Sequence, residues 1–211
     1  MLSNEPKTLL IYLMAAPARA KNISILTSTL PEMTVVWDDR PNGGDALYTA
    51  RKAWLAPSSE EETHRLVLQD DVILCKGFRA IVDKIINAQP NLPITLLSLY
   101  GFPVKTQTSP YYYTSYLHGP GIILPKKYIK PCFDWIDTQT DERLLPHDDL
   151  LITEYFRTHH IPMLTVFPNI IQHPDNDTLL PYSYDWKRTS HWFEEEPVAN
   201  WEAKEIQKRR R

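Results

Sequence analysis

Two adjacent carboxylates, Asp70 and Asp71, interrupt an apolar run in the segment HRLVLQDDVIL at residues 64–74. Neighbouring side chains of an extended chain point to opposite sides, so one carboxylate can hold a metal ion while the other faces a second ligand group. Hard oxygen ligands suit Mg²⁺ or Mn²⁺, which usually keep several waters and bind substrate phosphates. The pair is equally typical of a strand that ends in a turn. The segment therefore predicts a strand end, a metal site, or both.

Polar side chains also follow three further predicted strands. In open α/β sheets, ligands bind outside the carboxyl ends of the strands, so these side chains could share one edge. Each of them alone is more simply a solvated turn residue. The positions are Pro17 and Arg19 after residues 8–14, Asp38 and Asp39 at the end of 33–39, and His173 after 162–168. Together with Asp70 and Asp71 they predict one polar site.

Strands and helices alternate along the first hundred residues. The apolar run at 8–14 fits a strand buried on both faces, and the segment at 18–30 has helical spacing. Further helices are predicted at 45–56, at 78–88, from about Lys126 and at 147–160, and further strands at 93–100 and 121–124. This alternation predicts an α/β fold, with a mostly parallel sheet flanked by helices in a single domain.

Several tyrosine and histidine residues lie outside these strand ends. The segment YYYTSY at 111–116 fits either a half-buried strand or a surface that stacks on an acceptor ring. His159 and His160 come near a predicted helix end, where a histidine compensates the helix dipole. His64 is expected on the surface.

The bulk composition narrows the function classes. The chain has 211 residues, enough for one domain with a substantial core, and its net charge of -3 gives no global basic field to attract nucleic acid or anionic membranes. Two cysteines make no metal or disulfide framework. We expect neither a signal peptide nor a membrane span, because no apolar stretch reaches the roughly 18 residues that a span needs. A cytoplasmic location is therefore expected.

The segment LVLQDDVILCKGF resembles the metal-binding strand of GT-A fold glycosyltransferases that use nucleotide sugars. The resemblance is to the small lipopolysaccharide-type and phage-encoded enzymes, in which a hydrophobic strand carries an acidic "DxD" motif. Those enzymes have an acidic residue where this chain has Gln69. The resemblance implies a GT-A-like (Rossmann-like) domain at residues 1–180 and a tail at 181–211 that packs over the donor site.

The resemblance also implies a role for each polar position. The metal would be Mn²⁺ or Mg²⁺, and the donor a nucleotide diphosphate sugar. The resemblance places Pro17, Arg19, Asp38 and Asp39 around the nucleoside, Arg51 and Asp70 against the donor, Asp71 and His173 on the metal ion, and Lys187 and Arg188 on the diphosphate.

The segment HDDLL at 147–151 carries a further acidic pair, Asp148 and Asp149. The resemblance implies that one of them is the catalytic base or an acceptor clamp. Aspartate at a helix N-terminus is also favoured by capping and by the helix dipole, which needs no catalytic role. In the same comparison, LHGPGIIL at 117–124 would lie under the sugar, and its glycines would allow close backbone approach.

The predicted function is metal-dependent transfer of a sugar from a nucleotide diphosphate sugar to a hydroxyl acceptor. The acceptor could be a saccharide, a protein or a modified base in DNA, and in a phage-encoded enzyme the location would be the host cytoplasm. A non-catalytic nucleotide-sugar-binding module and a metal-dependent hydrolase are alternatives. A nucleotidyltransferase fits less well, because MAAPARAKN lacks a glycine-rich basic loop. Stereochemistry and oligomeric state stay open.

Overall fold

The apolar runs predicted as strands come together in a seven-stranded sheet. The computed structural model of the protein describes residues 8–40, 46–99, 109–140, 147–174 and 189–207. The strands of this sheet are β1 (Thr8–Ala15), β2 (Thr34–Trp37), β3 (Glu62–Gln69), β5 (Ile94–Thr95), β6 (Tyr111–Thr114), β7 (Gly121–Pro125) and β8 (Met163–Val166). A separate short sheet pairs β4 (Ile73–Leu74) with β9 (Ile171–Gln172).

The sheet is mixed, with the strand order β2-β1-β3-β7-β5-β8-β6. Strand β1 lies parallel to both β2 and β3, and β5 lies parallel to β8. Strands β7 and β6 run the opposite way to their neighbours. Since Leu68 near the end of β3 pairs with Gly121 at the start of β7, the chain just before β7 reaches the edge where the parallel strands end.

Five α-helices of the described chain cover the two faces of the sheet. They are α1 (Ala20–Thr29), α2 (Ala46–Trp54), α3 (Phe78–Ala88), α4 (Lys126–Ile136) and α5 (Asp148–Thr158). One core packs α1 and α3 against the sheet, and the other packs α2, α4 and α5. Strand β1 supplies Leu13 to the first core and Met14 to the second, as alternation along a strand requires. The predicted α/β class with flanking helices is confirmed.

Strand β5 is shorter than the predicted strand at 93–100. Side chains occupy the backbone groups that a longer strand would pair: Thr95 Oγ1 donates to Leu97 O at 3.0 Å, and Ser98 N–H donates to Asn169 Oδ1 at 3.0 Å. Such side-chain bonds compete with a sheet ladder, so the regular strand ends at Thr95.

The fold tests the predictions for the tyrosine segment at 111–116 and for His64. The half-buried strand is the better interpretation of the tyrosine segment, because Tyr111–Thr114 forms β6 beside β8. The prediction that His64 lies on the surface is wrong. Its ring is buried in β3, with Nδ1 2.9 Å from Thr63 Oγ1 and Nε2 3.0 Å from Pro90 O.

Residues 189–207 pack along the domain. Trp201 is buried in the core that holds α3, and the Tyr111 hydroxyl donates to its carbonyl. Gln207 continues the sheet beside β6, since its N–H donates to Tyr111 O at 2.8 Å and its carbonyl accepts from Tyr113 N–H at 3.1 Å. The described helices include none that is both long and apolar enough to cross a membrane.

Candidate functional site

Arg19 joins the end of β1 to the turn that follows β3. A 3-10 turn, Pro17–Arg19, begins two residues after β1, and the proline fixes its first backbone angle. Nη1 of Arg19 donates to Asp70 Oδ1 at 2.8 Å and to Asp71 Oδ2 at 2.6 Å. Asp70 and Asp71 are only 5% and 3% exposed, so this guanidinium supplies positive charge that two buried carboxylates require.

Asp70 is also held by the backbone at the end of β1. Its Oδ2 accepts the Ala16 N–H at 2.6 Å, and its carbonyl accepts a hydrogen bond from the Asn22 side chain on α1. Burial raises the pKa of Asp70 above its ordinary value, while the bonds from Ala16 and Arg19 act in the opposite direction. These contacts fix the two loops to each other. The predicted contact of Asp70 with the donor stays a prediction.

Asp71 meets His173 at the same edge. Strand β4 directly follows the Asp70–Asp71 turn, and its pairing with β9 brings in His173, the next residue after β9. His173 Nε2 lies 3.1 Å from Asp71 Oδ2, and His173 is 2% exposed. Nδ1 lies 2.7 Å from Pro174 O, a carbonyl that only accepts, so the proton belongs on Nδ1.

That assignment leaves a lone pair on His173 Nε2 whenever the ring is neutral. Nε2 has no aligned hydrogen-bond partner among the described residues, even though Asp71 Oδ2 is close. Two buried acceptors that face each other at 3.1 Å repel unless a proton or a cation lies between them. Groups of three or more histidine, cysteine and acidic residues with metal-binding geometry do not occur in the described ranges.

Asp149 lies at the start of α5, against the segment that leads into β7. Its Oδ2 accepts the Tyr116 hydroxyl at 2.7 Å and the Gly119 N–H at 3.2 Å. Burial raises the pKa of Asp149, and the bond from Tyr116 is the largest effect that lowers it. The helix N-cap position belongs to His147 instead, so simple capping does not account for these contacts of Asp149.

Asp148 and Asp149 are therefore not equivalent. Asp148 is buried at the first position of α5, whereas the carboxylate of Asp149 reaches across to Tyr116 and Gly119. That either of them acts on an acceptor stays a prediction. The geometry favours Asp149.

Gln69 connects the acidic turn to Asp149. Its Nε2 lies 2.9 Å from the point where a Cβ on Gly119 would stand, and Asp149 Oδ2 lies 3.3 Å from the same point. Only glycine leaves room for this approach. The last residue of β3 and the first turn of α5 therefore meet over Gly119, on the edge that also carries Asp70 and Asp71.

Asp38 and Asp39, which follow β2, form ion pairs with nearby basic side chains. Asp38 pairs with Arg40 at 2.8 Å, and hydrogen bonding to Arg40 lowers its pKa. Asp39 accepts from the Tyr48 hydroxyl at 2.9 Å and pairs with Lys52 at 3.1 Å. The Asp38 N–H donates to Ala15 O at 2.8 Å. This bond continues the pairing of β2 with β1 and places Asp38 beside the loop that holds Asp70.

The remaining predicted basic residues are Arg51, Lys187 and Arg188. Arg51 forms an ion pair with Asp137 at the end of α4, and its guanidinium lies 5.8 Å from the Phe133 ring centroid. These contacts place Arg51 between two helices. Lys187 and Arg188 lie outside the described residues, as do residues 181–188 and 208–211 of the tail predicted to pack over the donor site.

Sequence reasoning missed a buried amide network next to His173. Asn169 Nδ2 donates to Ser98 O at 2.9 Å and to Ser190 Oγ at 2.6 Å, and the Asn169 side chain is fully buried. Gln172 Nε2 donates to Ser190 O at 2.8 Å, and Gln172 Oε1 accepts from His173 N–H at 3.1 Å. The only signal in the sequence is a polar residue inside the apolar run VFPNII. The network ties the chain after residue 188 to the strand that carries His173.

Comparison with known proteins assigns no family to the chain. Neither a family profile nor a curated protein matches the chain. Among solved structures, the crystal structure of A197 from STIV matches with a TM-score of 0.49 at 12% sequence identity, and the match covers 87% of this chain and 98% of that one. Similarity at this level assigns neither a family nor an activity, so a functional proposal has to come from the side chains at the sheet edge.

Proposed function

We propose that the protein transfers a sugar from a nucleoside diphosphate sugar to a hydroxyl acceptor, with Mn²⁺ or Mg²⁺ as cofactor and a GT-A-like arrangement of the sheet. The observation that carries the proposal is the approach of His173 Nε2 to Asp71 Oδ2 at 3.1 Å, both buried at the edge where the parallel strands end. Asp149, a half-buried residue whose carboxyl pKa is raised by desolvation, lies along the same edge.

The residues present fit such a divalent ion. Nδ1 of His173 is committed to a backbone carbonyl, the usual outer partner of a metal-bound histidine, and Nε2 is the atom left for the ion. Asp71 supplies a carboxylate oxygen beside it. Two protein ligands suffice for a metal that arrives with a nucleotide, since substrate phosphates and waters complete its shell. When bound, the ion would neutralise charge on the leaving diphosphate.

Other side chains would bind the diphosphate and the nucleoside and would activate the acceptor. Arg19, and Lys187 and Arg188 in the tail, would add positive charge at the diphosphate. Pro17, Asp38 and Asp39 belong to the loops after β1 and β2, where we place the nucleoside. Asp149 would accept the proton of the acceptor hydroxyl as the sugar passes through an oxocarbenium-like state. Its raised pKa suits that role, because a stronger base takes a proton more readily.

The test is release of free nucleoside diphosphate from a panel of nucleotide sugars in the presence of Mn²⁺. We expect slow metal-dependent release by the wild-type protein, and its loss in Asp71→Asn with the fold retained by circular dichroism. Asp134→Asn is a matched control, because Asp134 pairs with Lys130 on the exposed face of α4. Wild-type turnover by Asp71→Asn would show that Asp71 is not the metal ligand.

The pairing of Arg19 with both Asp70 and Asp71 favours a second candidate, a non-catalytic nucleotide-sugar-binding module. In such a module the arginine would neutralise the carboxylates permanently and no metal would be needed. The same panel separates the candidates. Thermal stabilisation by a nucleotide sugar without metal and without turnover would support the binding module, whereas metal-dependent turnover would support the transferase.

A further inference from the structure

The positive charge of Arg19 lies close to the place where a divalent ion would bind Asp71. Asp71 Oδ2 lies 2.6 Å from Arg19 Nη1 and 3.1 Å from His173 Nε2, so the guanidinium and an ion between Asp71 and His173 would share one carboxylate oxygen. An ion on that oxygen would lie close enough to the guanidinium for the two positive charges to repel each other strongly, even when partly screened. The observed arrangement of Arg19 and a bound ion therefore disfavour each other.

We propose that Arg19 is an exchangeable counter-ion: it neutralises Asp70 and Asp71 when no metal is bound, and it leaves Asp71 for the donor's diphosphate when the ion binds. This inference rests on the proposed function, since ion and diphosphate are those of the proposed reaction. The exchange keeps charge balanced at both places. Asp71 would then be neutralised by the bound ion, and the planar guanidinium of Arg19 would form the paired hydrogen bonds with phosphate oxygens that arginine favours.

Asp70 keeps a hydrogen-bond donor during the exchange. Asp70 keeps the hydrogen bond from Ala16 N–H at 2.6 Å when Arg19 moves, so the β3 turn stays attached to the end of β1. The Arg19 side chain is 18% exposed, whereas its two acidic partners are almost fully buried, so the arginine is the partner with access to solvent. Arg19 also belongs to a short 3-10 turn rather than to a long helix or a central strand.

One consequence is positive coupling between metal and donor. A diphosphate that attracts Arg19 exposes the Asp71 oxygen to the ion, and an ion on Asp71 makes Arg19 available to the diphosphate. Each ligand should therefore bind more tightly in the presence of the other by the same factor.

The test measures Mn²⁺ binding to the full chain by electron paramagnetic resonance, without nucleotide and without turnover. Arg19→Gln should bind Mn²⁺ about tenfold or more tightly than the wild type, because the competing charge is gone. Arg157→Gln, which removes an arginine paired with Glu154 near the far end of α5, should bind like the wild type. Equal or weaker Mn²⁺ binding by a folded Arg19→Gln overturns the inference while leaving the metal site itself intact.

A second measurement uses the wild-type chain, in case Arg19→Gln fails to fold. The guanidinium signals of Arg19 are assigned in a ¹⁵N-arginine spectrum by their loss in Arg19→Lys, and Mg²⁺ is then added. We expect these signals to shift while those of Arg157 stay in place. Unchanged Arg19 signals at a Mg²⁺ concentration that displaces bound Mn²⁺ would overturn the exchange. If none of the proteins binds Mn²⁺, the metal assignment of the proposed function fails first, and the inference fails with it.

Discussion

The hydroxyl of Tyr116 donates a hydrogen bond to Asp149 Oδ2 at 2.7 Å, across the gap between the segment before β7 and the start of α5. The sequence allows Tyr116 to stack on an acceptor ring, whereas in the structure its hydroxyl bonds to the Asp149 carboxylate. A hydrogen bond to the charged form of an acid favours ionisation. Tyr116 therefore partly offsets the effect of burial and keeps Asp149 closer to the ionised form that a base needs.

Tyr116→Phe should shift the acidic limb of the pH–activity profile to higher pH. Without the hydroxyl, the pKa of Asp149 rises further, so a larger fraction of the carboxylate is protonated at any pH below that pKa. Activity at high pH should change little. A matched control is Tyr113→Phe, because Tyr113 is 38% exposed on β6. An unchanged profile in Tyr116→Phe would mean that Asp149 does not act as the base.

Asp149→Asn should abolish transfer and stabilise the fold at neutral pH. Burial raises the folded pKa of Asp149 above the unfolded value, so the wild type loses stability as pH rises from the unfolded pKa through the folded one. Asparagine carries no charge there and can still accept from Tyr116 and Gly119. We expect about 1 kcal/mol of added stability at pH 7, and no difference near pH 3, measured by urea unfolding at both values. Lower stability at pH 7 would contradict this explanation.

The rule that ligands gather at strand ends predicted part of the site from the sequence. It found Arg19, Asp70, Asp71 and His173, because apolar runs mark buried strands and polar residues follow them. The helix predicted at 78–88 has the same bounds as α3, since its apolar spacing is local. By contrast, the pairing of β4 with β9 involves two residues on each side and leaves no periodic signal, yet it is what brings His173 to Asp71.

The neutrality of Gln69 could not be explained from the sequence either. The enzymes that the segment resembles have an acidic residue at this position, and the sequence alone gives no reason for a neutral one. The explanation depends on β7, which runs antiparallel to β3 and carries Gly119 to the end of β3. A glutamate at position 69 would place a second carboxylate beside that of Asp149, and like charges at close range disfavour ionisation of both. An amide in this place avoids the conflict.

Gly119→Ala should destabilise the fold and reduce activity. The new Cβ would stand 2.9 Å from Gln69 Nε2 and 3.3 Å from Asp149 Oδ2, so one of the two side chains must move. We expect a loss of about 1–3 kcal/mol, as for other overpacked sites. Adding Gln69→Ala removes one clashing group, so the double variant should lose less stability than the two single changes predict together. Strict additivity in urea unfolding would show that Gln69 and Gly119 are not in contact.

Asn169→Ala should loosen the chain after residue 188 while leaving the main sheet intact. The substitution removes the donor to Ser98 O and Ser190 Oγ and the acceptor of Ser98 N–H, while Ser190 Oγ can still donate to Ser98 O. The loss of three buried hydrogen bonds should cost about 1–3 kcal/mol. Ser190 also bonds to Gln172, which accepts from the His173 N–H, so Mn²⁺ binding should weaken as well.

Asn91→Ala is the control, since the Asn91 side chain accepts from Lys127 at an exposed site. We expect faster proteolysis within residues 189–207, together with weaker Mn²⁺ binding. If Asn169→Ala is destabilised but its proteolysis is unchanged, the lost stability lies elsewhere in the domain.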